Sequence, residues 1–185
     1  SVVAEKKKYT LEDYERLPEG SPYQLIEGEL VMSPAPGYEH QETEKRFFIK
    51  LYELVEKTKK GKVFIAPFDV YLDQENAYQP DIVVLLEGSK AKISQKGIEG
   101  APDIVVEILS PSTAYYDLTE KKEVYERSGV KEYWIVDPVN KMIHVHGLSD
   151  GYFTKRTTYG EKDELKSFVF EDVMIDIRTI FKIER

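Results

Sequence analysis

Two carboxylates stand where carboxylates are costly. Asp81 heads the apolar run 82–86, directly behind Pro80, and Glu107 interrupts the apolar run 104–109. Strands this apolar are usually buried on both faces. An ionised carboxylate there costs several kcal/mol of lost hydration, on the order of magnitude known for buried ions, unless a partner compensates. A divalent cation shared by two such acids on neighbouring strands is one compensation. A strand-end acid that caps a helix or pairs with a lysine gives the same pattern, so spacing alone leaves both readings open. Lys121 follows Asp117 by four positions and shares its helix face. An ordinary i,i+4 ion pair, worth roughly 0.2–0.5 kcal/mol, is the plainer reading of that spacing. His40 and Glu44 are also four apart, on the face that carries Phe48 and Leu51. A histidine hydrogen-bonded at the core edge explains this as readily as a ligand does. Asp69 lies in a strand-like run where a turn role fits equally well.

These residues need elements to position them. Thr10 followed by Leu11, Glu12 and Asp13 reads as a helix start, and the helix stops before Pro18. Residues 23–26 and 29–32 flank Glu27-Gly28 as a hairpin. The spacing of Phe47, Phe48, Leu51, Leu54 and Val55 predicts a helix over 39–58. Short strands are expected at 62–66, 69–72, 80–86, 102–109 and 132–136, with a loop at 87–100. A helix is expected over 117–128, closed by Gly129. Residues 141–147 and 151–158 alternate as a second hairpin, and 165–183 ends in a short strand or helix. The order predicts an α/β fold with a mixed sheet flanked by helices. One domain over residues 1–185 is expected, with 1–8 a loose tail.

Composition excludes much. With no cysteine, there is no disulfide, zinc–thiolate site, iron–sulfur cluster or cysteine nucleophile. A net charge of −8 argues against a polycation that coats nucleic acid or anionic membrane through bulk charge. The stretch 41–62 runs against that sign, with seven basic and four acidic residues, and reads most simply as a solvated face. Dinucleotide, P-loop, HExxH and GxSxG motifs are all absent. No apolar run reaches membrane-spanning length, and the first ten residues lack a signal-peptide core, so a cytoplasmic setting is expected.

Several strings resemble one family. APDIVVEILSPST, then D-x-x-x-K-x-x-x-Y, then GVKEYWIVDP are similar to the blocks of the Uma-type restriction-endonuclease-like proteins, within the PD-(D/E)xK nuclease superfamily. YQLIEGELVMSPAPGYEHQ and QPDIVVL resemble its other two blocks, so the likeness covers about 23–138. It implies a restriction-endonuclease-like core, with hairpins towards both ends of the chain. It implies Asp81 as the metal-binding aspartate, Glu107 as the second acid, and the Ile108 backbone carbonyl as a further ligand for Mg²⁺ or Mn²⁺. The superfamily lysine would stand two positions after Glu107, but Leu109 is there. The resemblance implies that this role has moved to Lys121, with Lys122 as the fallback. Glu44, or else Glu42, matches the acid of the first core helix, and His40 matches a family histidine. The implied activity is an endonuclease hydrolysing DNA, with a homodimer as the expected assembly. The competing class is a noncatalytic nuclease-fold binding or assembly module.

Overall fold

The structure is a computed structural model and describes residues 7–181. Most of the expected tail therefore lies outside the described residues. Lys7 and Lys8 are not loose: Lys7 sits over the Tyr9 ring at 5.1 Å, and Lys8 pairs with Glu75 at 3.4 Å.

Helix α1 (Leu11–Glu15) opens the described chain, and the Thr10 N–H donates to Asp13 at 2.9 Å as the expected cap. Strands β1 (Tyr23–Ile26) and β2 (Glu29–Met32) form the first hairpin. Both residues of its turn have positive φ, 48° at Glu27 and 79° at Gly28. That geometry twists a two-residue turn to match its strands. Helix α2 (Tyr38–Leu51) runs on into a π-helical turn at Tyr52–Glu56. Then come β3 (Gly61–Ile65), β4 (Asp69–Asp73), β5 (Asn76–Tyr78) and β6 (Ile82–Leu86). The expected loop at 87–100 instead holds β7 (Lys92–Ile93) and β8 (Gly97–Glu99). These strands are too short and polar for alternation to reveal. Strand β9 (Ile104–Ile108) follows.

The helix expected over 117–128 is two helices, α3 (Ala114–Leu118) and α4 (Glu120–Ser128). They break at Thr119, with φ −120° and ψ −97°. The Thr119 hydroxyl donates to the Tyr115 carbonyl at 2.6 Å, a back-bond of the kind that bends helices. Gly129 closes α4 at φ 93°, as expected. The rest is β10 (Glu132–Asp137), the hairpin β11 (Met142–Ser149) and β12 (Tyr152–Tyr159), the pair β13 (Glu164–Lys166) and β14 (Met174–Asp176), and α5 (Arg178–Phe181).

The strands make two mixed six-stranded sheets rather than one. Their orders are β2-β1-β5-β4-β8-β7 and β12-β11-β10-β9-β6-β3, and β13-β14 is a separate pair. In the second sheet alternate residues face opposite ways. Ile82, Val84, Ile104, Val106, Trp134 and Val136 pack on one face with Phe47 and Leu51 of α2. Val83, Leu85, Val105, Tyr133 and Ile135 pack on the other, with Val124 and Tyr125 of α4 and Val70, Tyr78 and Ile98 of the first sheet. Glu107 falls in that second set by parity. So the acid sits between two layers of apolar side chains.

The C-terminal segment is tied down by one buried carboxylate. Glu132, at the start of β10, is fully buried. It accepts hydrogen bonds from Trp134 Nε1 (3.2 Å), the Phe168 N–H (2.9 Å), the Val169 N–H (3.2 Å) and the Ser167 hydroxyl.

Candidate active site

The register of two strands brings the two acids together. Strands β6 and β9 pair antiparallel, with Ile82 opposite Val106. One step further along the ladder puts Asp81 opposite Glu107, and opposed residues point to the same side. The Asp81 N–H donates to Glu107 Oε1 at 3.1 Å. In return Asp81 Oδ2 accepts from the Ile108 N–H at 2.6 Å.

Lys121 reaches this pair from α4. Its ammonium meets Glu107 Oε2 directly, Asp117 Oδ1 at 3.4 Å and Gln24 Oε1 at 3.3 Å. Tyr125, one turn on, donates to Glu107 Oε2 at 3.0 Å. The Tyr78 ring lies 5.2 Å from Lys121 Nζ. Lys121 and Glu107 side chains are each 3% exposed. An ammonium has three N–H donors, and here three oxygens surround it. Helix α2 supplies the remaining members. His40 Nε2 lies 3.2 Å from Asp81 Oδ2. Glu44 is buried, and its Oε1 and the His40 Nδ1 have no hydrogen-bond partner.

Two carboxylates thus touch one ammonium and a third, Asp81, acts on it through charge, and the cluster favours protons. Burial raises Glu107; the Lys121 charge opposes this, while Asp117 and Asp81 add to it. Burial raises Asp117 too, against Lys121. Burial acts to lower Lys121, but the Glu107 and Asp117 charges outweigh it and hold the amine protonated. Burial likewise acts to lower His40, and the hydrogen bond and charge of Asp81 overcome it. Glu44 is pushed up to about 7, by burial first and the Asp81 charge second.

Glu44 yields a pH prediction. Its folded pKa lies above its unfolded value, so the folded state binds more protons between pH 4.5 and 7. Stability from this residue is therefore present in acid and lost as pH rises through that window. Glu44→Gln is expected to raise stability by on the order of 2–3 kcal/mol at pH 8 and by little at pH 4.5. Denaturant melts at the two pH values check this; an equal gain at both would remove Glu44 ionisation as the cause.

The other sequence candidates lie elsewhere. The Lys122 charge acts on His144 and His146, whose proton affinity it lowers, while it is the Lys121 ammonium that meets Glu107. Glu42 pairs with Lys45 and with Arg46 at 3.6 Å on the outer face of α2. Asp69 accepts from Tyr14 (2.6 Å) and Gln79 (3.0 Å), bracing α1 against the first sheet. The sequence reading gave no role here to Gln24 or Tyr125. Gln24 lies in β1 and touches Lys121 across 97 positions of chain, which no local spacing signals. Tyr125 was visible only as the last member of D-x-x-x-K-x-x-x-Y.

The Uma2 family, described as "Putative restriction endonuclease", matches residues 11–178. The chain belongs to the Uma2 family. No curated protein matches it. Among solved structures, this Uma2 chain is similar to one titled a "putative nuclease belonging to DUF820", from Anabaena variabilis ATCC 29413. The TM-score is 0.78 at 20% identity, over 93% of this chain and 97% of the other. At that identity the likeness shows the fold: a mixed α/β nuclease fold with helices flanking the sheets.

The residues suit a hard divalent cation in chemistry and charge. The donors are carboxylate oxygens in excess over one ammonium, and a buried Glu44 oxygen lacks a partner. The side chains are turned to their own donors, however. Among the described residues no three His, Asp or Glu side chains are gathered closely enough to hold a metal.

Proposed function

We propose that this Uma2 protein is a Mg²⁺- or Mn²⁺-dependent endonuclease that hydrolyses phosphodiester bonds in DNA. The observation that carries the reading is the opposed pair Asp81 and Glu107 with Lys121 on Glu107. Asp81, Glu107 and the Ile108 carbonyl would hold the cation. Bound there, a divalent cation supplies Lewis acidity and a water of lowered pKa. Lys121, held as an ammonium, adds positive charge near the attacking water and the transition state. Tyr125 and Gln24 hold Glu107 and Lys121 in position, and their burial keeps bulk water from weakening those charges. His40 and Glu44 flank Asp81 from α2. The reading also takes the two sheets as one domain and the working form as a cytoplasmic homodimer.

One observation favours a second reading, a noncatalytic nuclease-fold module. Both acids already have internal partners, so the cluster can stand as a buried structural ion pair. A single experiment separates the two. Purified protein is incubated with plasmid, single-stranded DNA and RNA in Mg²⁺ or Mn²⁺, beside Asp81→Asn. Cutting of DNA by the parent alone supports the nuclease. No cutting, together with no heat on metal titration, leaves the module.

A further inference from the structure

The register of the second sheet places a row of residues beside the candidate site. Glu107 of β9 stands next to Ile135 of β10, Ile135 next to His144 of β11, and His144 next to Thr158 of β12. A parallel row runs Val105, Tyr133, His146 and Arg156. All of these face the side on which Glu107 lies. The first sheet and α4 cover that side out to β10. On β11 His146 is still buried and His144 is half-buried; on β12 Arg156 and Thr158 are exposed.

The open part is cationic in an acidic chain. Lys122 stands one residue from Lys121, about 100° round α4, so it addresses the open strands instead of the carboxylates. Lys122 and Arg156 have no acidic partner among the described residues. Their charges, after burial, lower His144 and bring His146 down to about 4. The acids facing the strip are few. Asp137 opposes Arg156 at His144, acting there more strongly than Lys122 does, and Glu126 is engaged by the Phe153 N–H at 2.7 Å. Lys122 of α4 and Arg156 of β12 thus act on the same two histidines, and neither has a salt-bridge partner among the described residues.

The geometry points to this strip, Lys122, His144 and Arg156, as a track for the phosphate backbone of a polynucleotide substrate that extends past the scissile phosphate. The inference rests on the nuclease reading and deepens it. Strands are about 4.8 Å apart, so His144 and the β12 row lie about 10 and 14 Å from the Glu107 row. Phosphates of one strand recur every 3.4 Å along a duplex, so the track spans about three to four of them. Lys122 and Arg156 would each contact a phosphate, and neutral His144 would donate a hydrogen bond. A small phosphate diester reaches the acids without touching the strip.

The test is Lys122→Ser/Arg156→Ser, which leaves every acid and Lys121 intact. Binding of a labelled 20-nucleotide single strand is measured in EDTA, so that nothing is cut, across a salt series. The double variant is expected to bind about tenfold more weakly, with a salt slope smaller by about 1.4, or 0.7 per lost contact to a single strand. Its rate on bis(p-nitrophenyl) phosphate with Mn²⁺ is expected to equal the parent's. Equal strand binding by parent and variant overturns the strip and leaves the nuclease reading standing. A parent that binds no strand, or binds only phosphatidylserine vesicles, also overturns it. The nuclease reading itself is judged separately, by metal titration of parent and Asp81→Asn.

Discussion

Lys121→Met is expected to cost the fold about 3–5 kcal/mol at neutral pH, because it leaves buried acids without their counter-charge. For a chain of this size that is a fall in melting temperature of about 6–20 °C. Glu107 and Asp117 are almost fully buried, and Lys121 is the ammonium that meets both. Without it their folded pKa values rise further above the unfolded ones. An acid raised on folding loses stability as pH climbs above its unfolded value. The deficit should therefore be small near pH 4.5 and grow towards pH 8. Adding Glu107→Gln should recover at least half of it, since one of the stranded charges is then gone. Denaturant melts of the single and double variants across pH measure this coupling. A deficit under about 1 kcal/mol at pH 8 would mean that the cluster is not ionised, and Lys121 would lose its proposed part in the chemistry.

Asp81→Asn and Glu107→Gln should each lower nuclease turnover by about 10²–10³-fold, the effect of losing several kcal/mol of charge stabilisation at the phosphoryl group. The apo fold should survive, since each substitution removes one member of a group with too many negative charges. Asparagine is a gentler change than alanine at 81. Its amide oxygen can still accept from the Ile108 N–H, which alanine would leave without a partner. Metal should stabilise the parent by mass action, about 2.7 kcal/mol at a hundred times Kd, and should not stabilise Asp81→Asn. A calorimetric melt with and without millimolar Mg²⁺ reads both. A parent that gains nothing from metal, and cuts nothing, would end the catalytic reading.

The sequence showed the parts of the site that depend on contrast within a strand. An acid in an apolar run is conspicuous, and Asp81 and Glu107 stood out for that reason. Their opposition is a matter of register between two strands, which spacing along one chain does not encode. The His40 and Glu44 face of α2 was legible from 3.6-residue periodicity. Lys121 was not separable from an ordinary helix pair until the resemblance singled it out. In the structure it makes both contacts, to Asp117 and to Glu107. Gln24, β5, β7 and β8 were illegible because they owe their places to partners far along the chain. The break at Thr119 was missed because the apolar pattern runs through it. A single hydroxyl bond, not periodicity, divides α3 from α4.

Glu132 has a consequence for the order in which the chain can be completed during synthesis. Its four donors come from its near neighbour Trp134 and from residues 167–169, more than thirty positions later. Strand β10 borders β9, which carries Glu107. A nascent chain can therefore hold every residue of the candidate site while the sheet beneath it still contains a carboxylate short of three partners. The site's scaffold closes only once residues 167–169 have been made and have packed against β10. A chain ended at residue 166 would keep Asp81, Glu107 and Lys121, yet limited proteolysis should cut its β10 and β11 where the full chain resists.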